Sequence, residues 1–134
     1  MSQAQPVPQA TTASNKEAAE EFLRLSAKGE VRQAYEKFVA GEFRHHNAYF
    51  AGDADSLRAA MEENHRNNPH NVLEIQRSVQ EGDLVVVHSL VKPSPGHNGM
   101  AAVHIFHFKG GRIDELWDIG QPVPQDSPNQ HGMF

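Results

Sequence analysis

The chain is 134 residues long, 38% hydrophobic and 22% charged, figures that fit a single globular domain with a real core. A formal net charge of −5 excludes the basic footprint of a non-specific nucleic-acid binder, and no run approaches the roughly 18 apolar residues of a membrane helix. With no cysteine there is no disulfide framework and no thiolate nucleophile or ligand. The chain does not open with a basic region and an apolar core, so no secretory signal is expected and the cytoplasm is the default location.

Residues 1–14 begin with MSQAQPVPQATTA, which has no periodic apolar pattern and reads as a disordered tail ahead of a single domain at 15–134. Ser14, with Glu17 three positions on, fits a capping box at the start of a first helix. Ala18, Phe22 and Leu25 form its stripe, with Ala19 and Leu23 beside it, and Gly29 ends it. A second helix is expected from Glu30 to Val39, burying Val31, Ala34, Tyr35 and Phe38, with Gly41 closing it. Phe43 to Asn47 is a short extended piece. Its alternation puts Phe43, His45 and Asn47 on one side and Arg44 and His46 on the other, so only one of the two adjacent histidines can face a pocket.

Asp53 and Asp55 signal a third helix running to Asn67, with Leu57, Ala60, Met61 and Asn64 on one side and Asn67-Asn68-Pro69 as its stop. A strand follows from Val72 to Val79, with Leu73, Ile75 and Val79 sharing a face. Glu81-Gly82-Asp83 is a turn. Leu84 to Lys92 is a nearly continuous apolar run and therefore a central strand, in which Leu84, Val86, His88 and Leu90 share a face. Met100 to Lys109 and Arg112 to Gly120 then form a hairpin around Gly110-Gly111, which supplies the positive φ angles of a primed turn. The return strand stops at Gln121-Pro122. Helices first and antiparallel strands afterwards give an α+β architecture, three helices on one face of a sheet.

Pairing Lys109 with Arg112 sets the hairpin's register. Val103 then lies opposite Asp118, Ile105 opposite Leu116 and His107 opposite Asp114. One face holds those six residues, and the other holds His104, Phe106, Phe108, Ile113, Glu115 and Trp117. A bulge would exchange the assignments beyond it. Both faces carry large apolar groups, so one is expected to meet the helices around a pocket and the other a partner subunit.

Nine histidines are many for this length. Imidazoles transfer protons near neutral pH, and at least some are expected in a polar pocket. The chain has no G-x-S-x-G elbow, phosphate-binding Gly-Lys loop, dinucleotide fingerprint or H-E-x-x-H motif, so covalent or cofactor-based chemistry has no sequence support. What remains is His46, His88 and Asp118, with His104 and His107 near them in sequence. A carboxylate held in apolar surroundings can take a proton from a carbon acid or return one to a developing oxyanion. An imidazole at His88, in the middle of an apolar strand, is desolvated unless a pocket admits water or ligand. Two histidines and a carboxylate could also bind iron or zinc, but they lie far apart and carry no recognised spacing. A non-catalytic ligand-binding module and a dimeric scaffold presenting Trp117 and Phe106 are the other rivals.

The phrase GGRIDELWDIGQPVP resembles the ending of the SnoaL-like polyketide cyclase family, in the larger group of nuclear transport factor 2-like and cystatin-like folds. It is most similar to the branch described as SnoaL-like aldol-condensation enzymes. Phe43 to Asn47 resembles that branch's Tyr-Ile-Gln-His-Asn segment, Gly82 to His88 resembles its strand ending in Val-His, and Gly132-Met133-Phe134 also looks familial. The resemblance covers residues 15 to 134. It implies a cone of one strongly curved sheet and three helices, a dimer through the sheet, and a cofactor-free pocket. It carries the catalytic acid to Asp118 and the pocket histidines to His46 and His88. The chain departs from the pattern at Leu116 and Leu90, where related sequences often have histidine, and at Ala48, where they have proline. The expectation is therefore a cofactor-independent acid–base enzyme for a small carbonyl substrate, by aldol-type cyclisation or a related isomerisation. Its substrate would lie among His107, Leu116, Ile105, Leu90, Phe50, Tyr35, Met61, His104 and Trp117, with no metal.

Overall fold

The computed structural model describes residues 14–134; the tail expected at the N-terminus lies, apart from Ser14, outside the described residues. Helix α1 is Asn15–Ala27, α2 is Val31–Phe38 and α3 is Ala54–Asn67. The strands are β1 Val39–His45, β2 Val72–Glu81, β3 Leu84–Lys92, β4 Met100–Lys109 and β5 Arg112–Pro122. They form one mixed sheet in the order β1-β5-β4-β3-β2, with β1 parallel to β5 and every other pair antiparallel. The fold is α+β, as the order of elements predicts.

Local chemistry sets most of the boundaries. The capping box forms: the Ser14 hydroxyl accepts from the Glu17 amide and the Glu17 carboxylate accepts from the Ser14 amide. Asp53 caps α3, accepting from the Ser56 amide. Gly41 does not close the second helix. That helix gives way directly to extended backbone at the β-branched Val39, and Gly41 lies within β1. Its end is secured by Arg112, whose Nη1 donates to the Glu36 carbonyl at 3.0 Å and the Val39 carbonyl at 3.1 Å. Both carbonyls are thereby tied to the β4–β5 turn. In that turn Gly110 and Gly111 both take positive φ, 62° and 81°, and Lys109 pairs with Arg112 as expected.

Two bulges change which residues face the helices. In β5 the register slips between His107 and Phe108, so His107 lies opposite Glu115 and His104 opposite Asp118. One extra residue in a strand flips everything beyond it. The inner face therefore holds His104, Phe106 and Phe108 on β4 with Ile113, Leu116 and Asp118 on β5. Val103, Ile105, His107, Glu115 and Trp117 go to the outer face. In β2 the register slips between Ile75 and Arg77, which sends Val79 outward, away from Leu73 and Ile75. On β3, Val85, Val87 and Ser89 point inward and Leu84, Val86, His88 and Leu90 outward.

The inner face packs Val85, Val87, Phe106, Phe108, Ile113 and Leu116 against Phe22, Leu23 and Leu25 of α1, Val31, Tyr35 and Phe38 of α2, and Leu57 of α3. Phe106 is at its centre, fully buried, edge-on to Phe22 at 6.0 Å and beside Phe108 at 6.5 Å.

Candidate functional site

Between the inner sheet face and α1 and α3 lies a cleft of two adjoining chambers. The inner one has a volume of about 260 Å³ and is walled by Phe22, Phe50, Leu57, Met61 and Leu116, with Asp118, His104, Asn47 and Asn64 as its polar groups. The outer one, about 500 Å³, shares Leu23, Met61, Asn64 and His104 with it. Asp118 thus faces an apolar hollow from the end of β5, and the register places His104 directly across from it on β4.

Asp118 is held from one side. Asn47 Nδ2 donates to Asp118 Oδ2 at 3.0 Å, while Asn47 Oδ1 accepts from the Tyr49 amide at 2.9 Å, which fixes the side-chain amide with its NH₂ toward the carboxylate. His45 is buried behind this loop. Its Nδ1 accepts from the Asn47 amide at 3.1 Å, so Nε2 carries the hydrogen and donates to the Ala51 carbonyl at 2.6 Å. His45 therefore holds the loop that aims Asn47.

His104 is the only histidine on the inner face of the β3–β5 strands. Burial lowers its pKa, and the nearby Asp118 carboxylate raises it in part; the net shift is downward, which favours the neutral ring. Its ring stacks on Phe106 at 6.1 Å, and its Nδ1 is buried with no hydrogen-bond partner. An unsatisfied buried polar atom costs on the order of 1–3 kcal/mol, so apolar packing alone would not favour an imidazole here. Tyr35 is set back from the chamber, its hydroxyl donating to Met61 Sδ at 3.3 Å; burial raises its pKa, with Arg58 opposing.

The remaining sequence candidates lie elsewhere. His46 is on the outer face, stacked on Trp117 at 4.9 Å and bonded through Nε2 to Glu115 Oε2 at 2.6 Å. His88 is also outside, accepting from Arg77 Nη1 and stacked on Phe134 at 5.5 Å. His107 lies outside too and pairs with Asp114 at 2.6 Å. Ile105, Leu90 and Trp117 share that face, whereas Leu116, Phe50, Met61 and His104 line the cleft. The structure thus brings Asp118 together with His104 and not with His46 or His88. Asn47 and His45 were not singled out by residue type. The alternation that grouped them with the apolar Phe43 is the signal that marks them as inward. Among the described residues no three His, Asp or Glu side chains are placed to hold a metal ion.

Glu115 anchors the outer network. Arg44 and then His46 bond its carboxylate and hold its pKa down at about 2, against a usual 4.5. Between those values the unfolded chain binds a proton that the folded chain does not, so stability rises with pH across that window. Glu115→Gln should therefore be less stable than the parent at pH 7. The gap should close as pH falls from about 4.5 to about 2, as read by urea unfolding at stepped pH.

The sequence profile of the SnoaL-like domain matches residues 19–116. The chain belongs to the SnoaL-like family. Among solved structures, this SnoaL-like domain is similar to IdmH from Streptomyces antibioticus, a candidate polyketide cyclase: 18% identity, TM-score 0.67, covering 81% of this chain and 93% of that one. AclR from Streptomyces galilaeus, a candidate hydroxylase, aligns at 17% identity and TM-score 0.69, covering 83% and 81%. A cystatin-fold protein from Novosphingobium aromaticivorans aligns at 18% and 0.66, covering 80% and 98%. No curated protein shows significant similarity to the chain. At these identities the shared property is the fold. No helix among the described residues is long and apolar enough to cross a membrane.

Proposed function

We propose that this SnoaL-like domain is a cofactor-independent acid–base enzyme for a small carbonyl compound, its reaction an aldol-type cyclisation, condensation or related isomerisation. The observation that carries this reading is the cross-strand pair of Asp118 and His104, both facing one apolar chamber. The Asp118 carboxylate takes a proton from the carbon α to the carbonyl and returns it to the product. Asn47, bonded to one carboxylate oxygen, leaves the other available to the substrate. The His104 imidazole, kept neutral by its surroundings, donates its N–H to the carbonyl oxygen as charge develops there. His46 and His88 have no part in this chemistry, because the sheet separates them from the chamber.

The test uses a panel of enolisable cyclic ketones and 1,3-dicarbonyls in deuterium oxide, with proton NMR following exchange at the α carbon. The protein should accelerate exchange of at least one member well above buffer. Exchange at the buffer rate for every member would leave a binding module on the same fold as the better reading.

Pairing of two chains through the outer sheet face belongs to the same proposal. Ile119 is 63% and Val79 60% exposed there, beside the partly exposed Leu84. Large apolar groups left open on a sheet favour a self-complementary partner. Sedimentation equilibrium should give a dimer, and Ile119→Arg a monomer with the fold retained. A monomeric parent protein at micromolar concentration would contradict the pairing.

A further inference from the structure

The loop at residues 46–53 carries two groups of the inner chamber, the Asn47 carboxamide that holds Asp118 and the Phe50 side chain. The His45 ring fastens this loop at two points. Its Nδ1 accepts from the Asn47 amide at 3.1 Å and its Nε2 donates to the Ala51 carbonyl at 2.6 Å. Both partners are backbone groups with fixed roles: an amide N–H only donates and a carbonyl only accepts. A hydroxyl or carboxamide partner could turn to suit a new proton, and these two cannot. The ring therefore fits in one state, neutral with its hydrogen on Nε2. His45 is 5% exposed, so solvent has little access to replace a lost partner.

We propose that His45 is a positioning residue for the Asp118 base and acts as a proton gate: the site is aligned while the ring is neutral and disengages when Nδ1 takes a proton. A proton there sets an N–H against the Asn47 N–H, two donors 3.1 Å apart, and the backbone at Asn47 has to swing away. The Asn47 carboxamide moves with it, because its Oδ1 accepts from the Tyr49 amide of the same loop. Asp118 then loses the bond that aims it. The gate deepens the acid–base reading of Asp118, and its effect on rate rests on that reading. The charged and titratable groups on the neighbouring elements are few. Asp53, at the start of α3, is close enough to feel a charge on His45; its carboxyl is held low first by Ser56 and last by His45. Arg58 on α3 is engaged by Asp55 and Glu62. Tyr35 on α2 is a buried phenol behind Phe43, and Asp118 on β5 lies beyond Asn47. Arg44, His46 and Glu115 are on the other face of the sheet.

The test is NMR of the ¹⁵N-labelled full chain, stepped from about pH 8 to about pH 5, the range in which imidazoles titrate. The backbone amide and side-chain NH₂ of Asn47 should shift with the midpoint of the His45 ring. With cyclohexanone as the probe, the rate of α-proton exchange should fall through that midpoint by about 10–100-fold, the scale of misplacing a catalytic group by about 1 Å. His45→Asn should remove the step, because its side-chain oxygen can accept from the amide two residues on and takes no proton in this range. His45→Phe keeps a ring beside Phe43 but no nitrogen, and its rate should be low throughout. Added to Asn47→Ala, it should change the rate less than about twofold, since both remove the same function. Asn47 signals that do not follow the His45 ring, a step that persists in His45→Asn, or an additive loss in the double variant would each overturn the proposal. Exchange above buffer with Asn47 indifferent to His45 removes only the gate. Asn47 following His45 with no exchange at any pH removes the acid–base reading and leaves His45 as the proton-sensitive clasp of the cleft.

Discussion

Asp118→Asn should lower the rate of α-proton exchange by about 10²–10⁴-fold, the usual contribution of a positioned general acid–base group, while leaving the fold intact. Both halves of that expectation come from the geometry. Asn is nearly isosteric with Asp, and an amide oxygen at this position can still accept from Asn47 Nδ2, so the loop carrying Asn47 keeps its anchor. The amide cannot accept a proton from carbon. His104 and the apolar walls remain, so ligand affinity should change far less than rate. Asn47→Ala should cause a smaller loss. It removes the bond that orients the carboxylate but not the carboxylate itself. Equal rates for the parent and Asp118→Asn would take Asp118 out of the chemistry.

Phe106→Ala should cost about 3–5 kcal/mol of stability, measured by urea unfolding at constant slope. The side chain is fully buried on the central strand of the three that carry the site, in contact distance of the Phe22, Phe108 and His104 rings. Truncation leaves a void that α1 cannot collapse into without moving Phe22, which is also a wall of the inner chamber. Ligand binding should weaken along with stability, since the His104 ring loses the surface it stacks on. A cost below about 1 kcal/mol would mean that the core repacks freely and that the chamber does not depend on this packing.

Where local rules govern, the sequence was sufficient. The Ser14–Glu17 capping box, the Asp53 helix start, the Gly110-Gly111 turn and the four buried residues of the second helix all follow from neighbours within one or two turns. What failed was register. A period of two carries no memory of a skipped residue, so one bulge at Asp114 moved Asp118 from the company of Val103 and Ile105 to that of His104 and Phe106. The apolar residues of β5 hold the trace of this. Ile113 and Leu116 are three apart, not two, which a regular strand with one buried face does not produce. Trp117, apolar and next to Leu116, hid that shift by giving both faces a large side chain. The β2 bulge had the same effect on Val79.

The histidines show a different limit. Resemblance points to His46 and His88, but alternation places His46 on the side away from Phe43, and the apolar residue is the better guide to the inside. His88 falls on the outer face because Val85, Val87 and Ser89 are the buried set of its strand. An apolar run with both phases filled does not reveal which phase is buried until its neighbours are known. The same fold hosts unrelated activities, so the residues facing the cleft must supply the chemistry.

A carbonyl ligand should lie against the inner face of the sheet, beside Asp118 and His104. Intermolecular NOEs between a bound ketone and assigned side chains test this directly. The expected contacts run from the ligand to the methyl groups of Leu57, Met61 and Leu116 and to the His104 ring. Contacts to Val86, Ile105 or Ile119 on the opposite face would contradict it.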